Sequence, residues 1–377
     1  VDRVGPGEHK AAPQPLRILI LGGTGFIGPH MVRYALERGH AVTIFNRGRT
    51  NTHLFPEVEK LVGDRDGQLG ALEGRTWDVV LDNSGYVPRH VRDSAQLLKD
   101  ASDHYLFTST AGVYASWYDA DGGMKSAPGE PAWPVDGTTE DHPTVVLPEP
   151  ESEEVGRFYG HLKSLCEDAV REAYGDRCVI TRPGLIVGPG DTTDRFTYYP
   201  VRVDLGGEVM AFGAPDDPVQ YIDARDLAAW SIRLCEDRVS GTYNAVAPLG
   251  GLRMAELLYG IRAITATPVR FTWVPGSFLA EQGVPEFSLP PWSNQEGPFA
   301  GATRFRADRA FAAGLTSRPL AETALDTLQW WKSLPRERRD AMVAGLRGGD
   351  LGFGPASMEV QMELEARILT AWKASQG

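Results

Sequence analysis

The stretch from Leu16 to Gly28, LRILILGGTGFIG, restricts the fold more than any other part of this 377-residue chain. Its apolar half is rich in β-formers and runs straight into glycines, the pattern of a buried parallel strand. Ile27, Met31, Val32, Ala35 and Leu36 then recur at helical spacing. Gly22, Gly25 and Gly28 therefore sit at a strand-to-helix turn. A bound diphosphate asks for that arrangement. The first glycine makes the tight turn, the second lets the backbone approach the phosphates, and the third lets helix and strand pack closely. The helix N-terminus then faces the negative charge. A turn that needs small residues for packing alone is the plainer alternative, but its context of strand and helix favours the dinucleotide reading.

The same alternation continues. AVTIF (Ala41 to Phe45), DVVLD (Asp78 to Asp82), HYLFTST (His104 to Thr110) and CVITRPG (Cys178 to Gly184) read as strands, with helical patterns around 88–100 and 159–174. Strands alternating with helices predict an α/β protein: a Rossmann-type doubly wound parallel sheet with a smaller C-terminal substrate-binding lobe. The expected divisions are an N-terminal arm at 1–15 and a dinucleotide-binding domain at 16–190, with 219–245 returning to it. An insertion at 116–150 carries Trp117, Tyr118 and Trp133. Residues 191–218 and 246–377 form the substrate lobe and C-terminal helices, with aromatic residues Trp273, Phe278, Phe287, Trp292 and Phe299 in one Pro-rich stretch. AETALDTLQWWKSL and MEVQMELEARILTAWK are the clearest late helices.

Composition excludes several functions. Hydrophobic residues make up 42% of the chain, enough for a sizeable core, yet no run approaches the roughly 20 apolar residues of a membrane helix. The 38 basic and 50 acidic residues leave a net charge of -12, which argues against a broad nucleic-acid surface. Cys166, Cys178 and Cys235 lack CxxC spacing and read as packed thiols. There is no Walker loop and no GxSxG elbow, and the histidines show no HExxH spacing, so no metal is expected. The cytoplasm is the expected compartment. Export as a folded, cofactor-loaded protein is the alternative, because the first fifteen residues are Pro/Gly-rich and unperiodic.

The end of the second strand bears on the cofactor. An NAD site commonly offers an acid there to the adenosine ribose. This chain reads Phe45-Asn46-Arg47-Gly48-Arg49 instead. Two guanidinium groups suit a 2′-phosphate, so NADP is favoured over NAD, with solvated loop arginines as the plain alternative. Further on, FYGHLK sets Tyr159 four residues before Lys163, on one helix face about a turn apart. By itself that pair decides nothing.

In combination these motifs decide more. The glycine loop, LFTSTAGVYA and FYGHLK, in that order, resemble the extended short-chain dehydrogenase/reductase superfamily and its NAD-dependent epimerase/dehydratase family. The resemblance runs from about Leu16 to Asn244 and includes GDRD (Gly63 to Asp66), TRPGLIVGPGD (Thr181 to Asp191) and VQYIDARDLAAW (Val219 to Trp230). It implies that Gly22, Thr24, Gly25, Phe26, Ile27 and Gly28 hold the diphosphate, with Asn46, Arg47 and Arg49 near the adenosine ribose. Asp64 would meet the adenine amine. Asn83, Ser84 and Gly85 would lie beside the cofactor ribose, and Pro183 and Gly184 near the nicotinamide. Thr110 matches the hydroxyl member of the catalytic triad, with Ser109 as second choice, and Tyr159 and Lys163 match the other two. Asp226 reads as a helix cap or anchor. Two departures stand out. Thr110 and Tyr159 are far apart in sequence, and the fourth strand ends LDNSGY rather than in an alanine-rich run. Together with FNRG, these features resemble an atypical branch that includes proteins similar to chloroplast stem-loop-binding proteins, some of which have lost the tyrosine.

The resemblance implies a mechanism. A free phenol has a pKa of about 10, so Tyr159 needs its anion stabilised, as a lysine one turn away would do. Tyr159 would then exchange a proton with a substrate hydroxyl as hydride moves to or from the nicotinamide, Thr110 holding the oxygen. The expected substrate is a sugar-like small molecule, met by Arg195, Tyr198 and Arg202, for which structural salt bridges are the even alternative. Trp117, Trp133 and Trp292 read as pocket lining or, more commonly, core. A dehydrogenase or epimerase ranks above a dehydratase, whose acidic pair is absent at Gly112-Val113-Tyr114. No nucleic-acid or membrane partner is expected, and a homodimer is left open. The alternative function is a catalytically silent cofactor-binding or RNA-associated protein.

Overall fold

The structure is a computed structural model. It describes residues 12, 14–118, 123, 133–149, 151–191, 193, 195–284, 291–296, 300–343 and 358–377. Most of the N-terminal arm, Phe287, Phe299 and much of the predicted insertion lie outside the described residues.

In chain order the first elements are β1 (Arg17–Leu21), α1 (Gly28–Glu37), β2 (Ala41–Asn46), β3 (Glu59–Val62) and β4 (Trp77–Asp82). Then come α2 (Pro88–Leu98), β5 (Ser102–Thr108), α3 (Val155–Tyr174), β6 (Cys178–Pro183) and β7 (Ile186–Val187). They are followed by α4 (Tyr198–Leu205), β8 (Gly207–Phe212), β9 (Ile222–Asp223), α5 (Ala224–Glu236) and β10 (Gly241–Ala245). The rest are α6 (Met254–Arg262), β11 (Val269–Val274), α7 (Gly276–Glu281), α8 (Asp308–Ala312), α9 (Leu320–Ser333), α10 (Arg336–Val343) and α11 (Met358–Gln376).

The main sheet has seven strands in the order β10-β6-β5-β4-β1-β2-β3. The pairings from β6 through to β3 are parallel. A two-sided parallel sheet must be buried on both faces, and β1, apolar at every position after Arg17, is fully covered there. The chain builds outward from β1 to β3 and then returns to the other side of β1 as β4. The strand order reverses between β1 and β4, which is where ligands of such sheets bind, beyond the carboxyl ends. Register makes those ends level: Leu21 stands opposite both Phe45 and Asp82, Asp82 opposite Phe107, and Thr108 opposite Thr181. Gly22, Asn46, Asn83 and Ser109 therefore leave the sheet along one edge.

The chain divides into two compact units. The first takes in 1–110, 162–182 and 225–243. Its core joins Leu19, Leu21, Val80, Phe107 and Ile180 of the sheet to Val91, Ala95 and Leu98 of α2 and Cys166, Ala169 and Val170 of α3. All three cysteines are free and buried. The second unit takes in 111–161, 183–224 and 244–377, and the described residues of the segment read as an insertion group with it. There β8 pairs with β11 and β7 with β9, and the core gathers Tyr199, Phe212, Leu257, Ile261, Leu328 and Ile368. Among the described residues no helix is long and apolar enough to cross a membrane.

Candidate active site

The glycine loop adopts the conformation its residues allow. Gly22 has φ +90°, in the left-handed region, and the side chains of Asn83 and Ser84 lie within 2.6 Å of where a Cβ would stand. The Asn83 amide lies against that turn, and with its nitrogen facing the loop it donates to the Gly22 and Leu21 carbonyls at 2.9 and 2.8 Å. The Ser84 hydroxyl donates to Leu21 O at 3.1 Å. A Cβ on Gly28 would meet Gly22 O at 2.5 Å, so the third glycine lets α1 begin against the turn. Gly25 is exposed with open space over it. Half-buried Ile27 is the N-cap of α1, Phe26 stacks edge-on to His30 at 6.4 Å, and no side chain caps this end. No acid stands in its first turn either. An uncapped helix start beside an open glycine suits an anion, so these residues fit the diphosphate of a dinucleotide.

The loop after β2 is tied back to the glycine turn. Asn46 Nδ2 donates to Thr24 Oγ1 at 3.1 Å, its Oδ1 accepts from Gly48 N–H, and Asn51 Nδ2 donates to Thr24 O at 3.0 Å. Arg47 and Arg49 are exposed beyond Asn46, and neither makes an ion pair among the described residues. Asp64 is half-buried, its Oδ1 accepting from the Asp66 N–H in the following turn.

Lys163 is the most constrained of the predicted triad. Its side chain is buried at 3% exposure, and Nζ donates to Gly85 O and Thr108 O, each at 2.7 Å. The ammonium also lies 4.0 Å from the Phe107 ring centroid and 5.4 Å from that of Tyr86. Burial disfavours the charged form and pulls its pKa from 10.5 to about 8. Gly85 is glycine for packing, since a Cβ would fall 2.6 Å from Val91 and 2.8 Å from Phe107. Thr110 is half-buried just past β5, whereas Ser109 is 4% exposed and lies beside Glu167.

Tyr159 is half-buried on α3, one turn before Lys163 and directly after a break in the helix at Phe158 (φ -116°, ψ 32°). The start of the regular helix is clamped within the second unit. A Cβ on Gly160 would sit 2.1 Å from Gly112 O and 2.2 Å from the Tyr118 hydroxyl, and the Tyr118 and His161 rings stack at 4.4 Å. Pro183 ends β6 and is buried; Gly184 follows, closed against Val246. Asp226 lies in the first turn of α5, where an acid complements the helix dipole.

Beneath the same sheet edge lies a polar network that motif reading missed. Asp82, wholly buried, accepts two bonds from Arg65 at 2.7 Å each, one from Tyr105 Oη at 2.8 Å and one from Ser84 N at 3.2 Å. Arg65 also donates to Ser94 Oγ on α2. One turn beyond Lys163, Glu167 accepts two bonds from Arg182 and one from Arg171. An acid inside the apolar run of β4 and an arginine inside that of β6 were the available signals, since buried charges come paired.

Two predicted substrate residues make the structural salt bridge and hydrogen bond that were their even alternative. Arg202 bonds Glu365 of α11 through Nε and Nη2 at 2.9 and 2.6 Å and also holds the Gly206 and Glu208 carbonyls. Tyr198 Oη donates to the other Glu365 oxygen at 3.0 Å and is 3% exposed. Both anchor α11 to α4, because their donors are already engaged by a buried carboxylate. Arg195 is half-buried and donates to Thr193 Oγ1. Trp133 and Trp292 are buried, Trp133 edge-on to Trp117 at 4.0 Å and Trp292 bonded to Asp217. Among the described residues no group of three or more His, Cys, Asp or Glu could hold a metal ion.

Comparison with known proteins bears on the family and the fold. The family described as NAD dependent epimerase/dehydratase matches residues 18–246. Epimerase family protein SDR39U1 of Bos taurus is 27% identical over 260 residues, 67% of this chain and 82% of that one. The chloroplast stem-loop binding protein of 41 kDa b of Arabidopsis thaliana is 31% identical over 122 residues, 28% of this chain and only 32% of that protein. Among solved structures, the Bordetella bronchiseptica enzyme WbmH in complex with NAD+ aligns with a TM-score of 0.57 at 16% identity, covering 85% of this chain and 99% of that one. Human SDR39U1 (isoform2) with NADPH aligns at 0.52 and 20% identity, covering 83% and 99%. At such identities the structures speak for the fold alone.

Proposed function

Because the chain belongs to the NAD-dependent epimerase/dehydratase family, we propose that it is an NAD(P)-dependent dehydrogenase or epimerase acting on a hydroxyl-bearing carbon of a sugar-like small molecule. The observation that carries this reading is Lys163: a lysine buried at the carboxyl edge of the sheet, held by the Gly85 and Thr108 carbonyls, one helical turn after Tyr159. A buried ammonium is costly, and a fold that needs only packing does not retain one.

In this reading Gly22, Gly25, Gly28 and the start of α1 bind the diphosphate, while Asn83 and Ser84 line the ribose side. Asp64 faces the adenine, and Pro183 and Gly184 flank the nicotinamide. When bound, the nicotinamide supplies hydride exchange, which no side chain can provide. Thr110 Oγ1 orients the substrate oxygen, and Tyr159 Oη takes or returns its proton. Lys163 keeps one N–H beyond the two it commits, available to orient a ribose hydroxyl, and its charge favours the tyrosinate. Tyr159→Phe is expected to lower kcat by 100-fold or more, in line with general acid–base contributions of about 10²–10⁴, with cofactor affinity retained. Near-wild-type turnover of a sugar alcohol or its ketone would reject the reading.

NADP is the favoured cofactor, supported by the exposed Arg47 and Arg49 and the lack of an acid at the end of β2. Arg47→Ala with Arg49→Ala should weaken NADP+ binding tenfold or more and leave NAD+ nearly unchanged, measured by calorimetry. Equal losses for both cofactors would remove the NADP assignment.

The likeness to the Arabidopsis stem-loop binding protein favours a second reading, a cofactor-bound RNA-associated protein. The net charge of -12 opposes it. RNA retained at physiological salt, with no turnover of any sugar, would reverse the ranking.

A further inference from the structure

Among the described residues Lys163 makes no direct ion pair with a carboxylate. Its two acceptors, the Gly85 and Thr108 carbonyls, close β4 and β5, and both strands connect to one buried acid. We propose that Asp82 is a positioning residue for Lys163: its carboxylate shapes the turn that presents the Gly85 carbonyl and is the through-space counter-anion of the ammonium. Asp82 Oδ1 accepts the Ser84 N–H at 3.2 Å, which curls the chain immediately after β4. Gly85 completes that curl, and a Cβ there would stand 3.2 Å from Asp82 Oδ2. Tyr105 Oη donates to Asp82 at 2.8 Å from β5, three residues before the Thr108 carbonyl.

The charges around the ammonium make Asp82 the pivotal one. Asp82 and Glu167 favour the charged lysine and Arg65 opposes it, while the Cys166 thiol, pushed up to about 12 by burial, and Tyr86 are neutral neighbours. Glu167 is already matched by Arg182 and Arg171. Arg65 stays protonated under all working conditions. Removing Asp82 would therefore leave two buried cations, Arg65 and Lys163, facing each other.

The significance for catalysis rests on Lys163 being the partner of Tyr159. The test reads Lys163 without substrate or cofactor, so it can fail while the Tyr159→Phe result stands, and the reverse. The full chain carrying ¹³Cε-lysine is titrated by NMR, with the Lys163 signal identified by its loss in Lys163→Arg. Its midpoint is expected near pH 8. In Asp82→Asn the midpoint should fall by half a pH unit or more, about a threefold loss in proton affinity. Looser packing alone would admit water and move the midpoint up toward 10.5, so the sign separates the two. Should Asp82→Asn not fold, the double variant Arg65→Met, Asp82→Leu replaces the whole ion pair with apolar groups, a change buried pairs commonly tolerate. Its midpoint should also fall below that of the unaltered chain, because Asp82 acts on the ammonium more strongly than Arg65 does. An unchanged or raised midpoint in a folded variant overturns the proposal.

Discussion

Two buried arginine–carboxylate pairs, one in each unit, have the same parts and opposite electrostatic outcomes. In the first unit Glu167 of α3 faces Arg182 of β6, with Arg171 added from the next turn. Burial works against its charge, but the two guanidinium groups and Ser109 prevail and hold the carboxyl below the usual range. In the second unit Glu365 of α11 faces a single guanidinium, Arg202 of α4, with Tyr198 and the Met210 N–H beside it, and there burial wins and holds the carboxyl above that range. A buried pair is thus not one kind of object. The number of guanidinium groups around the acid, two for Glu167 and one for Glu365, separates the two cases, and the better-served pair lies one turn from the candidate catalytic lysine.

The comparison can be broken from either side. Arg182→Met should have the largest effect, lowering unfolding free energy by about 3–5 kcal/mol, because it strands a wholly buried anion. Arg202→Met should cost less, about 1–3 kcal/mol, since Glu365 already tends toward its neutral form and can take up a proton. Denaturant unfolding of the two variants gives the order, and equal losses would remove the distinction.

Acid sharpens the same contrast with a smaller effect. Glu167 has a depressed pKa in the folded state, so its contribution is present above about pH 4.5 and is lost as pH falls through the folded value. Glu365 has a raised one, so the folded state binds the extra proton just above pH 4.5 and gains stability as pH falls through that window. Hydrogen exchange read by mass spectrometry between pH 6 and pH 3 should show 198–205 gaining protection first, just above pH 4.5, and 162–182 losing it later, as pH falls further. The reverse order would mean that the pairs do not govern local stability.

Much of the first unit was legible because its signals are local. Strand and helix periods, the glycine spacing and the order of motifs all lie within short windows, and β1, β2, β4, β5 and β6 fall where the apolar runs predicted them. The short β3, EKLV, was missed because its half-exposed edge position carries no buried run. The structural partner of Arg202 and Tyr198 was not legible because Glu365 is more than 160 residues away. Asp82 and Arg65 stood in plain view within DVVLD and GDRD, yet no local pattern links an acid ending one strand to an arginine following another.

The sequence by itself determined the α/β alternation, the glycine turn, the tyrosine–lysine spacing and the family. Each follows from neighbouring residues whose conformational preferences act within a few positions. Only the tertiary structure decided which charges are buried together: that Lys163 rests on two carbonyls, that Asp82 is paired with Arg65, and that Arg202 is paired with Glu365. Those outcomes depend on desolvation and on contacts between distant segments, which come into being only when the strands are laid side by side.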